Sequence, residues 1–149
     1  MGRELQWLMA YVVQCLQDIW DVRRVHIDDD GDVPFRSGTA ACWVSVIDAD
    51  PLFVRVWAYA VTGIKPTAPV LRELNEINRR SRTATAYWAD AAVVVEQTLH
   101  ADGVDRTTLL HACEAVSTVA NGLGVMAAVY GGATPFPVED DPVDHRKAG

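Results

Sequence analysis

The sequence predicts a single α+β domain in which helices pack against one antiparallel sheet. Three observations lead to this fold class: segments with helical periodicity at both ends of the chain, two pairs of β-rich segments joined by turn signals, and a third helical segment between those pairs. The predicted order is helix, two or three strands, helix, two strands, helix. The chain has 149 residues, half of them hydrophobic, which is enough to bury one core.

The first predicted helix covers residues 3–20. Its apolar residues recur at helical spacing with polar residues between them, as in an amphipathic helix. These residues are Leu5, Leu8, Met9, Val12, Leu16, Ile19 and Trp20. Gln6, Gln14 and Asp18 interrupt the apolar run, so we expect neither a signal peptide nor a transmembrane span. Residues 25–27 predict a short extended piece.

The stretch Asp28–Asp32 holds four carboxylates in five positions and allows three interpretations. A calcium-binding EF-hand loop needs Gly at its sixth position and a carboxylate at its twelfth, but with Gly31 sixth the twelfth residue is Ser37. A catalytic acid pair needs two carboxylates in contrasting environments, which a polar turn does not offer. We therefore expect a turn in which Asp side chains bond their own backbone and which leads into a strand.

Two strands are predicted next, over residues 42–47 and 53–61, because β-branched residues and period-two alternation mark both. The turn signal at residues 48–51 lies between them, so the strands should pair as an antiparallel hairpin. One face of the second strand carries Val54, Val56, Ala58 and Ala60. The other face carries Phe53, Arg55, Trp57, Tyr59 and Val61.

This second face is the candidate binding surface. Arg55 among aromatic side chains indicates a face that is not sealed in a core, and Trp43 and Trp88 are candidates to join it from neighbouring strands. An aromatic surface with a cation is suited to hold a peptide segment or a partner subunit. The alternative is that helices or a second copy of the chain cover the face.

The second half of the chain repeats the alternation of helix and hairpin. A helix is predicted over residues 67–82 with Thr67 as its N-cap, followed by strands over 84–89 and 92–99 around Asp90–Ala91. Asp105 is expected to cap a long final helix that runs to Tyr130.

The final helix is predicted to end at Gly131 and Gly132, although Gly122 and Gly124 weaken or bend it. Residues 133–149 are polar and rich in proline, so we expect a disordered tail that can be removed after a folded domain of residues 1–132.

Three stretches resemble the YbjN family, which has the type III secretion chaperone-like fold. They are "DDDGDVPFRSG" leading into a hairpin, "VLRELNEINRRS" with a Leu-Asn-x-x-Asn pattern from Leu74 to Asn78, and the aromatic strand "TATAYWAD". The chain departs from the commoner form of the family in having no Gly in the turn at Asp90–Ala91. The resemblance covers residues 3–130 and implies a chaperone-like protein that binds proteins or peptides, or a regulator of sensory transduction in bacteria. It implies no catalytic residues.

Composition excludes several classes of function. The formal net charge is −7, whereas a nucleic-acid-binding protein needs clustered Lys and Arg, so no nucleic-acid partner is expected. Cys15, Cys42 and Cys113 are odd in number and widely spaced, which is typical of buried thiols in a reducing compartment, and we expect a cytoplasmic protein. The four His residues have no metal-ligand spacing, so no metal or cofactor is predicted.

These observations together predict a non-enzymatic module that binds a protein or peptide partner and forms a homodimer. The residues predicted for its binding or dimer surface are Trp43, Phe53, Arg55, Trp57, Tyr59 and Trp88. Two alternatives stay open: a small-molecule- or metal-dependent enzyme that uses Asp28–Asp32, and a regulatory subunit whose role depends entirely on its partner.

Overall fold

The structure is a computed structural model that describes residues 2–138. Four helices and five strands follow one another along the chain. They are α1 (Arg3–Trp20), β1 (Val33–Ser37), β2 (Ala40–Ile47), β3 (Phe53–Thr62), α2 (Ala68–Arg80), β4 (Thr85–Ala89), β5 (Ala92–His100), α3 (Arg106–Leu123) and α4 (Met126–Tyr130). The predicted α+β class is confirmed, and a short 3-10 turn links β5 to α3.

The five strands form one antiparallel sheet in the order β1-β2-β3-β5-β4. The first strand, β1, begins at Val33 directly after the Asp-rich turn, as predicted, and pairs with β2 through Val33 opposite Val44. The predicted extended piece at residues 25–27 is not part of the sheet. Three strands therefore precede α2.

The hydrophobic core lies between one face of the sheet and the helices. The core includes Leu8, Val12 and Leu16 from α1, Val70 and Leu74 from α2, and Leu109, Val116 and Leu123 from α3. From the sheet it takes Val33, Cys42, Val44, Val54, Val56, Ala58, Ala86, Val93 and Val95, which alternate along their strands as one face requires. The faces predicted for the second strand are thus confirmed at positions 54, 56 and 58.

Two predicted helix caps are confirmed. The Thr67 hydroxyl accepts a hydrogen bond from the backbone N–H of Val70 at the start of α2. The Asp105 carboxylate accepts one from the N–H of Thr108, whose hydroxyl bonds back to the Asp105 N–H, so α3 begins with a capping box.

The long final helix predicted to Tyr130 is instead two helices, because the α3 helix ends at Leu123 and α4 begins at Met126. Gly124 lies at the break. A Cβ atom there would come within 2.7 Å of the Thr39 hydroxyl, so the close approach of this turn to the hairpin of β1 and β2 favours glycine. By length and composition alone the stretch Arg106–Tyr130 is apolar enough to cross a membrane. Part of that apolar character is used in the core, where Leu109, Val116 and Leu123 pack.

The domain boundary predicted after Gly132 is too early. Ala133 pairs with Thr62 through two backbone hydrogen bonds of 2.8 and 2.9 Å, and the Phe136 N–H donates to the carbonyl of Thr39. Gly132 has a φ of +99° and approaches Thr62 so closely that no Cβ would fit. We call residues 133–138 the strap, because they run along the end of the sheet from β3 to the β1–β2 turn. The rest of the predicted disordered tail, 139–149, lies outside the described residues.

Candidate functional site

The sheet face opposite the core is the candidate site, and we call it the open face. It carries the strand positions that alternate with the core residues, among them Trp43 on β2, Trp57 and Tyr59 on β3, and Val94 and Glu96 on β5. The helices contribute their buried residues to the core on the other face. In the part of the chain that the structure describes, this face is therefore left to solvent or to a partner.

Three aromatic rings form the centre of the open face. Trp43 and Trp57 are directly opposite each other on neighbouring strands, and their rings stack with centroids 4.5 Å apart and planes inclined by 22°. Tyr59 meets both indoles edge-on, with centroids 5.5 Å from each. All three side chains are half-buried. The sequence-predicted residues Trp43, Trp57 and Tyr59 are thus brought together.

Arg55 lies beside these rings and is held by a polar network. Its guanidinium carbon is 4.7 Å from the centroid of the Trp57 ring, a cation–π arrangement. Arg55 forms a salt bridge with Glu96 on β5 and donates a hydrogen bond of 3.1 Å to the Tyr87 hydroxyl. Burial and the neighbouring Glu96 carboxylate raise the pKa of Tyr87. The cation is therefore fixed in place and largely neutralised.

Trp88 does not join the open face. It pairs with Val93, packs against the core cluster, and donates its indole N–H to the Ile64 carbonyl at 2.7 Å. Its neighbour Tyr87, paired with Val94, lies on the open face instead. Adjacent strand residues face opposite ways, so one of the two had to point outward, but the sequence does not say which.

Two further predictions concern the ends of β3. Phe53 lies on the open face at its rim, where it pairs with His100 at 4.8 Å between ring centroids. Val61 was predicted on the same face but is fully buried in the core. The register with β5 shifts between Tyr59 and Val61, and this β-bulge turns Val61 toward the helices.

A trough of about 340 Å³ runs along β5 on the open face. Its floor includes the small side chains Ala92 and Val94, and its walls are Tyr59 on one side and Tyr87 on the other. Such a depression between aromatic walls can take one apolar side chain. Its far end is closed by Arg55, and exposed Asp90 lies at its mouth.

Asp28 and Asp32 have different roles in the Asp-rich turn. Asp28 builds the turn: its carboxylate accepts the backbone N–H groups of Asp30 and Asp32 at 3.0 and 2.9 Å. Asp32 is half-buried and lies beside Ser45 on the open face, since the next residue, Val33, pairs with Val44. Burial raises the pKa of Asp32. Among residues 2–138, no group of three or more His, Cys, Asp or Glu side chains is gathered as a metal site.

A second hollow, of about 490 Å³, lies at the start of α1 and is lined by acidic and small residues near Asp48 and Asp102. Trp7 stands close to it, 65% exposed, with its ring stacked on Tyr11 at 5.2 Å. This aromatic pair lies on a helix rather than on the open face, so it supplies a matched control for the aromatic cluster of the sheet.

Residues 6–138 match the model of the TY-Chap1 family, described as "T3SS (YopN, CesT) and YbjN peptide-binding chaperone 1". The chain belongs to this family. TY-Chap1 membership confirms the resemblance to YbjN seen in the Asp-rich turn, the Leu-Asn-x-x-Asn helix and the aromatic strand. No curated protein sequence is significantly similar to the chain.

Solved structures share the TY-Chap1 fold at low sequence identity. A chain of the HopA1–SchA chaperone–effector complex superposes with a TM-score of 0.66 at 9% identity, over 83% of this chain and 98% of that one. A chain of the ExsC–ExsE complex gives 0.62 at 10% identity, over 83% and 95%. YbjN from E. coli gives 0.58 at 21% identity, over 78% and 91%. The predicted type III secretion chaperone-like fold is confirmed.

Proposed function

We propose that this protein is a non-enzymatic module that holds a segment of a partner protein on its open face. The observation that carries the proposal is the stacked cluster of Trp43, Trp57 and Tyr59, half-buried on a sheet face that the helices leave uncovered. Clustered aromatic side chains beside a fixed Arg are the residue types that dominate binding energy at protein interfaces. The description of the family as peptide-binding supports the proposal, and so do the chaperone–effector complexes among the similar structures.

The trough on β5 is the proposed anchor point for the partner. A bulky apolar side chain inserted between Tyr59 and Tyr87 would cover Val94 and remove all three from water. Five strands span about 19 Å, which about six extended residues can cross. A short extended segment is therefore long enough to fill the trough and reach the Trp43–Trp57 stack.

Charge favours a neutral or basic partner segment. The chain carries a formal net charge of −7, and Arg55 on the open face is already neutralised by Glu96. Exposed Asp90 at the mouth of the trough adds a negative group where a flanking Lys or Arg would lie. An acidic segment would meet repulsion without a free cation in compensation.

We also propose a cytoplasmic homodimer. Three free, buried cysteines are consistent with a reducing compartment, and a second copy is an alternative occupant of the open face. A regulatory role would act through the same surface, since a bound partner segment would be withheld from its other interactions. The enzyme alternative is not supported, because the Asp28 carboxylate is used in building its own turn and Asp32 lies beside Ser45 rather than next to a second catalytic group.

The test is a binding measurement with peptides selected on the folded chain. A display library of random peptides is panned against the full-length protein, and the enriched peptides are synthesised with a fluorophore for titration by fluorescence anisotropy. We expect enriched sequences to share one bulky apolar residue with basic neighbours.

Two substitutions and one control variant test whether the peptide binds on the open face. Trp57→Ser and Tyr87→Ser should each weaken binding about tenfold or more, since truncating a hot-spot aromatic costs about 2 kcal/mol. Trp7→Ser removes a more exposed aromatic ring from α1, away from the open face, and should leave the affinity unchanged. Equal losses in all three variants, or no selectable peptide at all, would reject the open face as the binding surface.

A further inference from the structure

Trp57, at the centre of the open face, is oriented by a hydrogen bond to a buried hydroxyl. Its indole N–H donates to Ser45 Oγ at 2.8 Å, across the strand pair β2–β3. Ser45 is 6% exposed and is the single buried polar residue among residues 2–138. A hydroxyl so far from water needs partners for both its lone pairs and its proton.

The Asp32 carboxylate is the candidate acceptor for the proton of that hydroxyl. The pairing of Val33 with Val44 puts Asp32, one residue earlier, beside Ser45, and the influence of the Ser45 hydroxyl on the pKa of Asp32 agrees with that placement. A carboxylate only accepts, and an indole N–H only donates. The Ser45 hydroxyl accepts from Trp57 and still has its own proton to donate, and donation to Asp32 would complete a directed chain from indole to hydroxyl to carboxylate.

Asp32 lies among charges of both signs. Asp28 and Asp30 face it from its own turn and disfavour a further negative charge, whereas Arg55 on β3 favours it. Because Arg55 already forms a salt bridge with Glu96, it stabilises the Asp32 carboxylate less than an unpaired cation would. Burial is the largest influence and raises the pKa of the Asp32 carboxyl above its ordinary value of 3.8.

We propose that Asp32 is a positioning residue for the open face, which fixes the indole of Trp57 through Ser45 and releases it when the carboxylate is protonated. A protonated carboxyl is a much weaker acceptor, and its O–H can donate to the Ser45 oxygen in competition with the Trp57 indole N–H. The indole then loses the constraint that keeps it stacked on Trp43 and under Arg55. Binding on this face would weaken in acid, a consequence that rests on the proposed function.

This proposed link from Asp32 through Ser45 to Trp57 can be tested without any partner, through the indole ¹⁵N–¹H signals of the full-length protein. The Trp57 signal is identified as the one that disappears in Trp57→Phe. In the wild type it should lie at the position of a hydrogen-bonded indole and move along one titration curve as the pH is lowered. The midpoint should fall above the ordinary Asp value, while the signal of Trp7 stays fixed.

Three variants test whether protonation of Asp32 causes the titration curve of the Trp57 signal. In Asp32→Asn an uncharged acceptor remains, so the Trp57 signal should stay hydrogen-bonded and lose its pH dependence. In Ser45→Ala it should move to the position of an exposed indole at every pH. Asp29→Asn makes the same charge change at an exposed residue of the same turn, and the curve should be unchanged.

A Trp57 signal that does not move with pH in the wild type overturns the proposal, whether or not the variants fold. So does a curve that survives Asp32→Asn. The other four indole signals report whether each variant keeps the native fold. With a peptide selected as above, affinity should fall several-fold between neutral and acidic pH in the wild type and stay level in Asp32→Asn. If no peptide binds but the indole titrates, the proposed function fails and this inference stands.

Discussion

The side chain of Asn78 on α2 forms two hydrogen bonds with the backbone of Ala86 on strand β4. Its amide nitrogen donates to the Ala86 carbonyl and its oxygen accepts from the Ala86 N–H, both at 2.9 Å. β4 is an edge strand of the sheet, so these backbone groups point away from β5. Asn78 therefore closes the edge at that position as a neighbouring strand would, and it attaches α2 to the sheet.

Loss of this pair should destabilise the domain. Asn78→Ala is expected to lower the free energy of unfolding by about 1–2 kcal/mol, since two backbone groups lose their partner. Asn75 is the other Asn of the Leu-Asn-x-x-Asn pattern and is exposed. Asn75→Ala should change stability by less than about 0.5 kcal/mol. Urea unfolding followed by circular dichroism measures both, and equal effects of the two substitutions would contradict the role given to Asn78.

The strap should contribute to stability, although its sequence resembles a disordered tail. Besides the Ala133–Thr62 pairing, the Arg36 guanidinium lies 4.4 Å from the centre of the Phe136 ring. Truncation after Gly132 should therefore cost about 1–3 kcal/mol, or about 3–10 °C in melting temperature. Truncation after Val138 keeps these contacts and is the matched control. If both truncated chains melt alike in a thermal scan, the strap contributes nothing to folding.

The three thiols should be unreactive in the native protein. Burial raises the pKa of Cys42 to about 12, does the same for Cys113, and also raises that of Cys15. The reactive thiolate is therefore nearly absent at neutral pH, and each side chain is at most 5% exposed. A chromogenic disulfide reagent should label no cysteine until denaturant is added and then all three. Rapid labelling of the native chain would show that the core opens at one of these sites.

Dimer formation, if it uses the open face, should be sensitive to a charge at its centre. Trp57→Glu is expected to shift the protein toward monomer in light scattering more than it lowers the melting temperature, because a carboxylate would be desolvated at the contact. The outer side of α2 is a second candidate dimer surface, because Leu71 is 47% exposed there, and Leu71→Glu tests it. Wild-type protein that stays monomeric at high micromolar concentration would reject the dimer and leave the face to another partner.

Much of the fold could be predicted because its signals are local. Helical spacing located α1 and α2 almost to the residue, and the side chains of Thr67 and Asp105 marked two helix starts. The aromatic face of β3 also followed from alternation. Its last residue, Val61, was assigned wrongly, because a β-bulge shifts the alternation and leaves no mark in the period-two pattern.

The order of elements, the core face of β3 and the family resemblance could all be read from the sequence, since each depends on neighbours a few residues apart. The tertiary structure alone decided that Tyr87 rather than Trp88 reaches the open face and that Phe136 docks on Arg36. It also decided that Asp32, one carboxylate of a turn, lies beside Ser45, whose hydroxyl accepts the indole N–H of Trp57. These contacts depend on strand register and chain path. Strand register is set by how the whole core packs, so it cannot be predicted from a local sequence pattern.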